Sequence, residues 1–426
     1  MSSILIKNAQ LVAQDNDLIA QDVLIVDGKI AQIDVTIDTE ADEVLEAAGA
    51  LLTPGLVDVH VHFREPGFEY KETIATGSKA AARGGFTTVA AMPNLNPTPS
   101  NVETFKMIQH KNETDGVINI EQYATISEGL TAVEVDDIKA LAEAGAVAFT
   151  NDGKGVQSAG TMLAAMKLAV AAGKPIVTHL EDESLMNGGV MNLGVRSAAL
   201  GLPGIDPLAE SSQLARDLVM VNATGVQYHV AHISTKESVT LVRLAKQLGL
   251  NVSAEVSPHH LLLDESDIDG DNALFKMNPP LRAPEDRAAV IAGLLDGTID
   301  MVATDHAPHA VEEKERSFLG AAMGIVGIET SFQLIYTHFV RSGIATLAQV
   351  LTWMVENPVK TFDLQAPTTI AVGEVADLAL FDLENAHVIT AEKFVSKGRN
   401  TPFLGETIYG QTVATLVAGE VVYRQA

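Results

Sequence analysis

Apolar, β-branched runs alternate with amphipathic or alanine-rich segments through the middle of the chain. Eight of these runs are typical of strands, because they are short and bounded by turn residues. They end near His62, Met92, Ile126, Thr150, His179, His232, Val256 and Thr304. Helix-length segments lie near 72–84, 101–112, 133–144, 160–172, 207–223, 235–248, 285–296 and 328–341. This alternation predicts an α/β fold, a (β/α)8 TIM barrel.

Both ends of the chain follow a different pattern. Residues 3–52 and 370–426 contain short alternating segments separated by turn signals. Neither end is long enough to form a robust sheet domain alone. We therefore expect one small β-sandwich domain formed by both chain termini, residues 1–53 plus 366–426. The barrel would comprise residues 54–365.

Polar side chains follow several of the predicted barrel strands where each strand ends. His60 and His62 are two residues apart, so their rings share one face of a strand and can bind one metal ion. Active sites of such barrels lie at the carboxyl ends of the strands. The other candidates at these ends are Arg64, Asn94, Asp152, His179, His232, Asp305 and His309. One of these histidines alone would be typical of a hydrogen-bonded core residue, but four histidines and two aspartates on one rim predict a metal centre.

The amino-acid composition limits the metal ligands and the binding partners that the protein can have. The 426 residues include no cysteine, so a metal must be held by histidines and carboxylates, which favours an ion such as zinc. The net charge of -27 argues against nucleic acid, whose binding needs clustered lysine and arginine. An anionic substrate would need a local positive field from metal ions or a placed arginine. The N-terminal residues do not form a signal-peptide pattern and no apolar stretch is long enough to span a bilayer, so we expect a soluble cytoplasmic protein without membrane contact.

Four longer motifs carry a resemblance to a known family. They are HVHFREPG at 60–67, MPN at 92–94, KMNPPLR at 276–282 and TDHAPH at 304–309. In this order they resemble motifs of the metal-dependent amidohydrolase superfamily, and within it the long bacterial (class I) dihydroorotases. The resemblance covers nearly the whole chain.

The resemblance implies a reaction and a metal centre. Dihydroorotases reversibly cyclise N-carbamoyl-L-aspartate to L-dihydroorotate with loss of water, in pyrimidine biosynthesis. Two zinc ions with a bridging hydroxide would serve each subunit. His60 and His62, with Asp305, would hold the more buried ion, and His179 and His232 the second. Asp305 would also be the general acid and base.

The bridge between the two ions departs from the superfamily's common pattern. Many members carry a carboxylated lysine at the end of strand four, whereas this chain has Asn151-Asp152 there. The long bacterial dihydroorotases use an aspartate, so Asp152 is the expected bridge. Lys154 is a rival candidate, which we interpret as a loop lysine.

The remaining polar residues receive substrate-binding or supporting roles. Arg64 would bind the ring carboxylate through its planar fork, with help from Asn94 and His309. Asn278 and the backbone of Met323-Gly324 would face the ureide edge. Three further interpretations concern His259-His260, which would support the metal site by hydrogen bonds, His229, which lies outside the rim, and the charged run 312–316, which would be a solvated loop.

Two other functions compete with this hypothesis. A hydantoinase, dihydropyrimidinase or allantoinase acts on a cyclic amide without the carboxylate, so Arg64 would have nothing to bind. Those enzymes also usually carry the bridging lysine. A non-catalytic scaffold for a transcarbamoylase would have lost metal ligands, whereas all six candidates are present. We expect a homodimer, and an association with aspartate transcarbamoylase is a further hypothesis.

Overall fold

The computed structural model describes residues 2–13 and 16–425. The strands are β1 (Ser3–Val12), β2 (Leu18–Val26), β3 (Lys29–Asp34), β4 (Glu43–Glu46), β5 (Leu51–Pro54), β6 (Leu56–Val61), β7 (Phe86–Ala91), β8 (Asn119–Gln122), β9 (Ile176–Thr178), β10 (Met191–Asn192), β11 (Gly204–Ile205), β12 (Tyr228–Val230), β13 (Val252–Val256), β14 (Met301–Val302), β15 (Leu378–Asp382), β16 (His387–Val388), β17 (Thr407–Ile408), β18 (Gln411–Val417) and β19 (Glu420–Arg424).

The helices are α1 (Ile74–Arg83), α2 (Val102–Asp115), α3 (Ile138–Glu143), α4 (Ala159–Ala172), α5 (Val195–Leu200), α6 (Leu208–Thr224), α7 (Lys236–Gln247), α8 (Pro258–Leu262), α9 (Pro284–Leu295), α10 (Val311–Lys314), α11 (Ser331–Ile335), α12 (Leu347–Leu351) and α13 (Asn357–Phe362). π-Helical turns follow α11 at Tyr336–Val340 and α12 at Thr352–Glu356. Within the described residues, none of these helices combines the length and apolar character needed to cross a membrane.

Parallel strands form the predicted barrel in two arcs. Strands β6, β7 and β8 make one arc, and β9, β12, β13 and β14 make the other. Phe149 joins the arcs on one side through bridges to Ala124 and Ile176. On the other side, Val61 bridges His306. The barrel therefore closes with eight strand positions.

The fourth position is shorter than the sequence predicted. A strand was expected to end near Thr150, but pairing here is confined to bridges at Phe149. The Asn151 side chain accepts hydrogen bonds from the backbone N–H groups of Ile126 and Ser127, at 3.0 and 3.2 Å. A side chain thus replaces the next step of the ladder and turns the chain toward the barrel rim.

Most helices lie where the hydrophobic pattern predicted them, and local capping explains their starts. Thr235 begins α7 because its side chain accepts from the Ser238 N–H, and Asp137 likewise begins α3 by accepting from Ala140. Two parts of the chain differ from the prediction. Residues 331–362 contain three short helices rather than one, and residues 181–207 form an excursion that contains β10, α5 and β11.

The two ends of the chain form one sheet. Its order is β19-β18-β15-β5-β1-β2-β3, with β4 paired to β1. The antiparallel pair β5 and β15 unites the ends, with Leu52 opposite Leu380. The terminal strands, which were expected to form a sandwich, thus form one continuous sheet. One hydrophobic cluster contains residues from both halves of this sheet, including Ile6, Ile25 and Leu416.

The terminal sheet packs against the barrel through the opposite side-chain face. Leu51 and Phe381 belong to the main barrel core, whereas their neighbours Leu52 and Leu380 face the sheet's own core. The Phe381 ring stacks on Phe332 with centroids 4.0 Å apart. Because side chains alternate between the two faces of the sheet, one face packs on the barrel and the other on the sheet's own core. The rim of the barrel stays free to carry a site.

Candidate metal centre and active site

Six side chains reach the carboxyl-terminal rim from five barrel positions. They are His60 in β6, His62 directly after it, Asp152 beyond the bridged Phe149, His179 after β9, His232 beyond β12 and Asp305 beyond β14. Each is at most 7% exposed. The structure therefore brings together all six residues that the sequence predicted as ligands.

The atoms of these residues have the spacing of ligands around one ion. His62 Nε2 lies 3.1 Å from Asp305 Oδ1 and 3.5 Å from Asp152 Oδ2. His60 Nε2 lies 3.4 Å from Asp152 Oδ1 and 3.5 Å from Asp305 Oδ1. Atoms bound to tetrahedral zinc at about 2.0–2.2 Å are about 3.3–3.5 Å apart. The donor set thus fits a zinc-like cation.

Asp152 lies between the histidines in a way that suits a shared ligand. Its Oδ1 is 3.5 Å from His232 Nε2 and 3.8 Å from His179 Nδ1, while its Oδ2 faces His62. In the described part of the chain, Asp152 Oδ1 and His60 Nε2 are buried atoms without a hydrogen-bond partner. Buried polar atoms are seldom left unpaired, so a cation at this point would satisfy both.

The grouping of ligands differs in one respect from the expected assignment. Three donor atoms from His60, His62 and Asp305 lie within 4.8 Å of one another, and so do three from His60, Asp152 and His232. His60 belongs to both groups, although the resemblance gives it to one ion. We assign the shared role to Asp152, because a carboxylate has two oxygens whereas His60 Nε2 has one lone pair.

Outer hydrogen bonds fix the ring nitrogens of two histidines. His62 Nδ1–H donates to Asn94 Oδ1 at 2.9 Å, which leaves the Nε2 lone pair facing the cluster. His179 Nε2–H donates to Glu181 Oε2 at 3.3 Å, which leaves Nδ1 for the cluster. Such partners set the tautomer of a metal-binding histidine. The sequence analysis missed Glu181, although an acid two residues after His179 shares its face of an extended segment.

Glu255 lies inside the barrel on β13 and links two imidazoles. Its Oε1 is 2.5 Å from His60 Nδ1, and its Oε2 is 3.1 Å from His229 Nε2. The sequence analysis missed Glu255 and assigned no function to His229. The signal in the sequence was that Glu255 is a charged residue in the middle of an apolar strand. A charged residue is rarely buried without a partner. Both residues support the metal-facing histidine His60.

The carboxylates give the rim a preference for positive charge. Burial raises the pKa of Asp152, but its neighbours, above all His60, outweigh this and hold that pKa well below its ordinary value. The pKa of Asp305 is also lowered despite burial, through its hydrogen bond with His62. The pKa of Glu255 falls to about 2, because His60 outweighs the effect of burial. Ionised carboxylates in a buried site favour a bound cation.

A cavity of about 340 Å³ borders the cluster, and Arg64 lies in its wall. Arg64 is 9% exposed, and its Nε–H donates to the Pro308 carbonyl at 3.3 Å. Burial lowers the Arg64 pKa, and the charges of Asp305 and Asp152 oppose this, so the guanidinium stays a cation. The two terminal nitrogens of the fork are in position to bind a carboxylate in the cavity.

His309 lies beside Arg64 and is neutral. Burial, followed by the charges of Arg64 and Lys71, lowers its pKa. Its Nε2–H donates to the Met323 carbonyl at 2.8 Å, and its Nδ1 lies 3.1 Å from Glu313 Oε2 and 3.4 Å from Lys71 Nζ. Glu313 pairs with the same ammonium at 3.0 Å. Lys71 and Glu313, which the sequence analysis did not identify, hold this ring in place.

The residues expected at the ureide edge also line the cavity. Asn278 Nδ2–H donates to Glu181 Oε2 at 2.5 Å. The Gly324 N–H donates to the Lys276 carbonyl at 3.0 Å. Gly324 has φ of 138°, and a Cβ atom there would lie 2.8 Å from Ala307 Cβ, so this position requires glycine.

Two other expectations concern residues at the edge of the site. Lys154 pairs with Glu183 at 3.9 Å and lines the same cavity as the metal-facing cluster. His260 Nε2–H donates to the Pro279 carbonyl at 3.0 Å, next to Asn278. His259 and His260 also hydrogen-bond to Ser257, so within the described residues their bonds hold the loop that carries Asn278 and do not reach the metal-facing residues as the sequence analysis expected.

The expectation for the charged run 312–316 is confirmed for Glu312, Glu315 and Arg316, which are exposed, but it is wrong for Lys314. The run was interpreted as a solvated loop, but its first residues belong to α10 and Lys314 is 7% exposed. A run of charged residues predicts a solvent-exposed segment only when every side chain points outward. Here Lys314 points inward, toward backbone carbonyls.

We expect Glu255→Gln to weaken metal binding. The neutral amide removes the negative charge beside His60, and loss of such a partner typically costs about 10–100-fold in metal affinity. Competition with a chromophoric chelator measures the change, and Glu121→Gln on the half-buried part of β8 is the control. Unchanged affinity in Glu255→Gln would contradict the supporting role of this carboxylate.

Comparisons with known proteins agree with this geometry. A family model described as Dihydro-orotase-like matches residues 49–238. The chain is 54% identical over 424 residues to the dihydroorotase of Ligilactobacillus salivarius, with 99% of both chains covered. It is 55% identical over 423 residues to that of Enterococcus faecalis, again with 99% of both chains covered.

Solved structures give the same superfamily. The L-hydantoinase (dihydropyrimidinase) of Arthrobacter aurescens superimposes with a TM-score of 0.88 at 27% identity, covering 100% of this chain and 96% of that one. A D-hydantoinase gives a TM-score of 0.85 at 25% identity, covering 99% and 95%. The identity to the curated relatives is about twice as high and spans nearly the whole chain, so this chain belongs to the dihydroorotase family of the metal-dependent amidohydrolases.

Proposed function

We propose that this chain is a dihydroorotase, which reversibly cyclises N-carbamoyl-L-aspartate to L-dihydroorotate with loss of water. The observation that carries the proposal is the buried guanidinium of Arg64 in the wall of the cavity that borders the six metal-facing side chains. A cation at this point gives the substrate carboxylate a partner, although the chain as a whole has a net charge of -27. The family relationship supports the same reaction.

We assign two zinc ions to the six residues at the rim. His60, His62 and Asp305 would hold one ion, and His179 and His232 the other, with Asp152 shared between them. The donor set supports this, because histidine and carboxylate ligands suit zinc and the chain has no cysteine. When bound, the two ions supply Lewis-acid activation of water and of the amide carbonyl.

In our proposal Asp305 moves the proton. In ring opening, water adds to the ring carbonyl, a C–O bond forms and the ring C–N bond breaks. The Asp305 carboxylate, ionised because its pKa is lowered by its hydrogen bond with His62 against the effect of burial, takes a proton from water and delivers it to the departing amide nitrogen. In cyclisation the same carboxylate accepts the proton of the ureido nitrogen as that nitrogen attacks. A C–O bond of the substrate carboxylate then breaks, and its oxygen takes this proton from Asp305 and a second proton from solvent and leaves as water.

Arg64 and Asn94 would donate to the ring carboxylate, and His309, whose ring N–H is taken by the Met323 carbonyl, would lie beside them. Because Asn94 Oδ1 accepts from His62, its amide N–H groups are oriented as donors. The Arg64 fork supplies a charge-assisted, paired contact. Asn278 and the backbone of Met323-Gly324 would contact the ureide edge. These contacts hold the reacting nitrogen and carbonyl carbon near one another, which lowers the entropic cost of cyclisation.

A cyclic amidase of the hydantoinase kind is the second candidate, because the solved structures with this fold include hydantoinases. Two observations disfavour it. Hydantoin and dihydrouracil have no carboxylate to compensate the buried Arg64. An aspartate, Asp152, stands where such enzymes usually carry a carboxylated lysine.

We also infer a homodimer through the outward faces of α4 and α6. These two helices pack against each other and expose apolar side chains, including Leu168, Val170 and Val219. Helix α4 contains no acidic residue, and the acids Glu210 and Asp217 of α6 are buried. In a chain with net charge of -27, a face without exposed acids is where a second copy is repelled least. The association with aspartate transcarbamoylase, the cytoplasmic location and the domain boundaries stay predictions.

Sedimentation velocity tests the dimer. We expect the wild-type chain to sediment as twice 45.1 kDa and Val219→Lys to shift toward the monomer, because it adds a charge to the apolar face. Val35→Lys, at another exposed valine outside these helices, should stay dimeric. A monomeric wild type, or a Val219→Lys variant that stays fully dimeric, would contradict the assigned face.

Metal content tests the assigned ligands. Purified wild-type protein should contain about two zinc ions per chain, and Asp152→Asn should lose most of both, because a shared carboxylate carries charge for both ions. Lys154→Ala should retain metal and activity, with no dependence on added bicarbonate. Elemental analysis that finds a fully active, metal-free wild type would refute the metal assignment, and extra carboxyl density on Lys154 would refute the role of Asp152.

Arg64→Met should discriminate between the two candidate functions. Loss of a paired, charge-assisted contact should reduce kcat/KM for dihydroorotate by roughly 2–4 kcal/mol, on the order of a hundred-fold or more. Turnover of dihydrouracil, which lacks the carboxylate, should change little. Steady-state kinetics of wild type and variant on both substrates measures this. If both substrates are affected equally, or if wild type prefers dihydrouracil, the hydantoinase-like function replaces ours.

A further inference from the structure

Lys314 is a buried ammonium with all three of its N–H groups in use. It lies at the end of α10, and its Nζ donates to the backbone carbonyls of Lys276, Ala322 and Gly324 at 3.0, 2.9 and 3.1 Å. Among the described residues it forms no ion pair within 4.0 Å. A buried charge of this kind is costly unless its donors are fully satisfied, so the geometry is specific.

The three carbonyls belong to the segments that line the cavity opposite the metal-facing cluster. Ala322 and Gly324 flank Met323, whose own carbonyl accepts from His309 Nε2 at 2.8 Å. Lys276 precedes Asn278 by two residues and also accepts from the Gly324 N–H at 3.0 Å. Helix α10 itself begins two residues after His309. One ammonium therefore ties together the three segments that carry His309, Asn278 and Met323-Gly324.

We propose that Lys314 is a positioning residue that fixes the substrate-binding wall of the cavity, an inference that rests on the proposed dihydroorotase function. It touches neither the metal-facing cluster nor the reacting atoms. Its effect is exerted through the backbone of residues 276 and 322–324. Loss of its donors would let these segments separate and would weaken the binding of substrate more than the chemical step.

The surroundings of Lys314 make this wall sensitive to pH. Burial, followed by the positive charge of Lys276, lowers the pKa of Lys314 to about 7, and Glu313 opposes this shift. Below that pKa the ammonium has three N–H donors for three carbonyls. Above it the amine has two donors, and one carbonyl loses its partner. Substrate binding should therefore be tightest below the pKa and weaken as the pH rises through it.

Steady-state kinetics with dihydroorotate tests the role of Lys314. In Lys314→Met, which keeps the length of the side chain but removes the donors, we expect KM to rise about tenfold or more. We expect kcat to change less than about threefold and metal content to stay at the wild-type value. Lys139→Met, at the exposed lysine that pairs with Glu143, is the matched control and should keep the wild-type KM. A wild-type KM in Lys314→Met, or a joint loss of kcat and metal content, would overturn the proposal.

The wild-type enzyme supplies a second measurement that does not depend on the folding of the variant. Its KM should rise as the pH is raised from 6 to 9, because Lys314 loses a proton over this range. The carboxylate of dihydroorotate, Arg64 and neutral His309 keep their charges over the same range. A flat KM would overturn the proposed pH sensitivity of this wall even if Lys314→Met does not fold. A wild-type chain that does not turn over dihydroorotate would instead refute the proposed function, and this inference with it.

Discussion

The buried carboxylate of Asp152 is the interaction on which the site depends. It lies within 3.8 Å of nitrogen atoms from four histidines, and it stands among further acids, Asp305 and Glu255, close to the same rings. Burying several ionised groups is costly unless opposite charge compensates them. Protons on the histidines or a divalent cation can supply that charge. A cation also gives a partner to Asp152 Oδ1 and His60 Nε2, two buried atoms of the described chain that have no hydrogen-bond partner.

The same constraint explains how an acidic chain can bind an anion. Most of the acidic side chains behind the net charge of -27 are not buried, so solvent and salt screen them. In the cavity, the near field would come from cations held by the carboxylates and from Arg64, which is buried beside them. Neutral His309 adds no charge, and Lys71 behind it is neutralised by Glu313. The sign of the local field is thus set by a few buried groups, not by composition.

The sequence predicted the parts of this site that follow from strand periodicity. His60, His62, His179 and His232 lie at strand ends, where a simple alternation rule and the direction of parallel strands place side chains together. Glu255 and Lys314 could not be predicted in the same way. Glu255 contacts His60 across the barrel interior, at a separation of 195 residues. Lys314 stands in a charged run whose inward direction depends on carbonyls of a distant loop.

The fold was likewise predictable where the pattern is local and regular. The barrel and most helices follow from hydrophobic periodicity. The fourth strand does not, because Asn151 replaces its ladder by side-chain hydrogen bonds. The joining of both termini in one sheet was predicted from length, since neither end can bury a core alone. Its continuity through β5 and β15 depends on a long-range register that no local pattern contains.

The weak fourth position gives the metal centre a structural role as well. Phe149 is the bridged residue between the two arcs of the barrel, and Asp152 follows it by three residues. In our proposal, an ion shared by Asp152 and the histidines would link this position to β6, β9 and β12, across the side where the hydrogen-bond ladder is shortest. Because such an ion binds the folded barrel and not the unfolded chain, its binding energy adds to the stability of this closure. Where the ladder is shortest, closure of the barrel therefore depends on the same carboxylate that organises the catalytic rim.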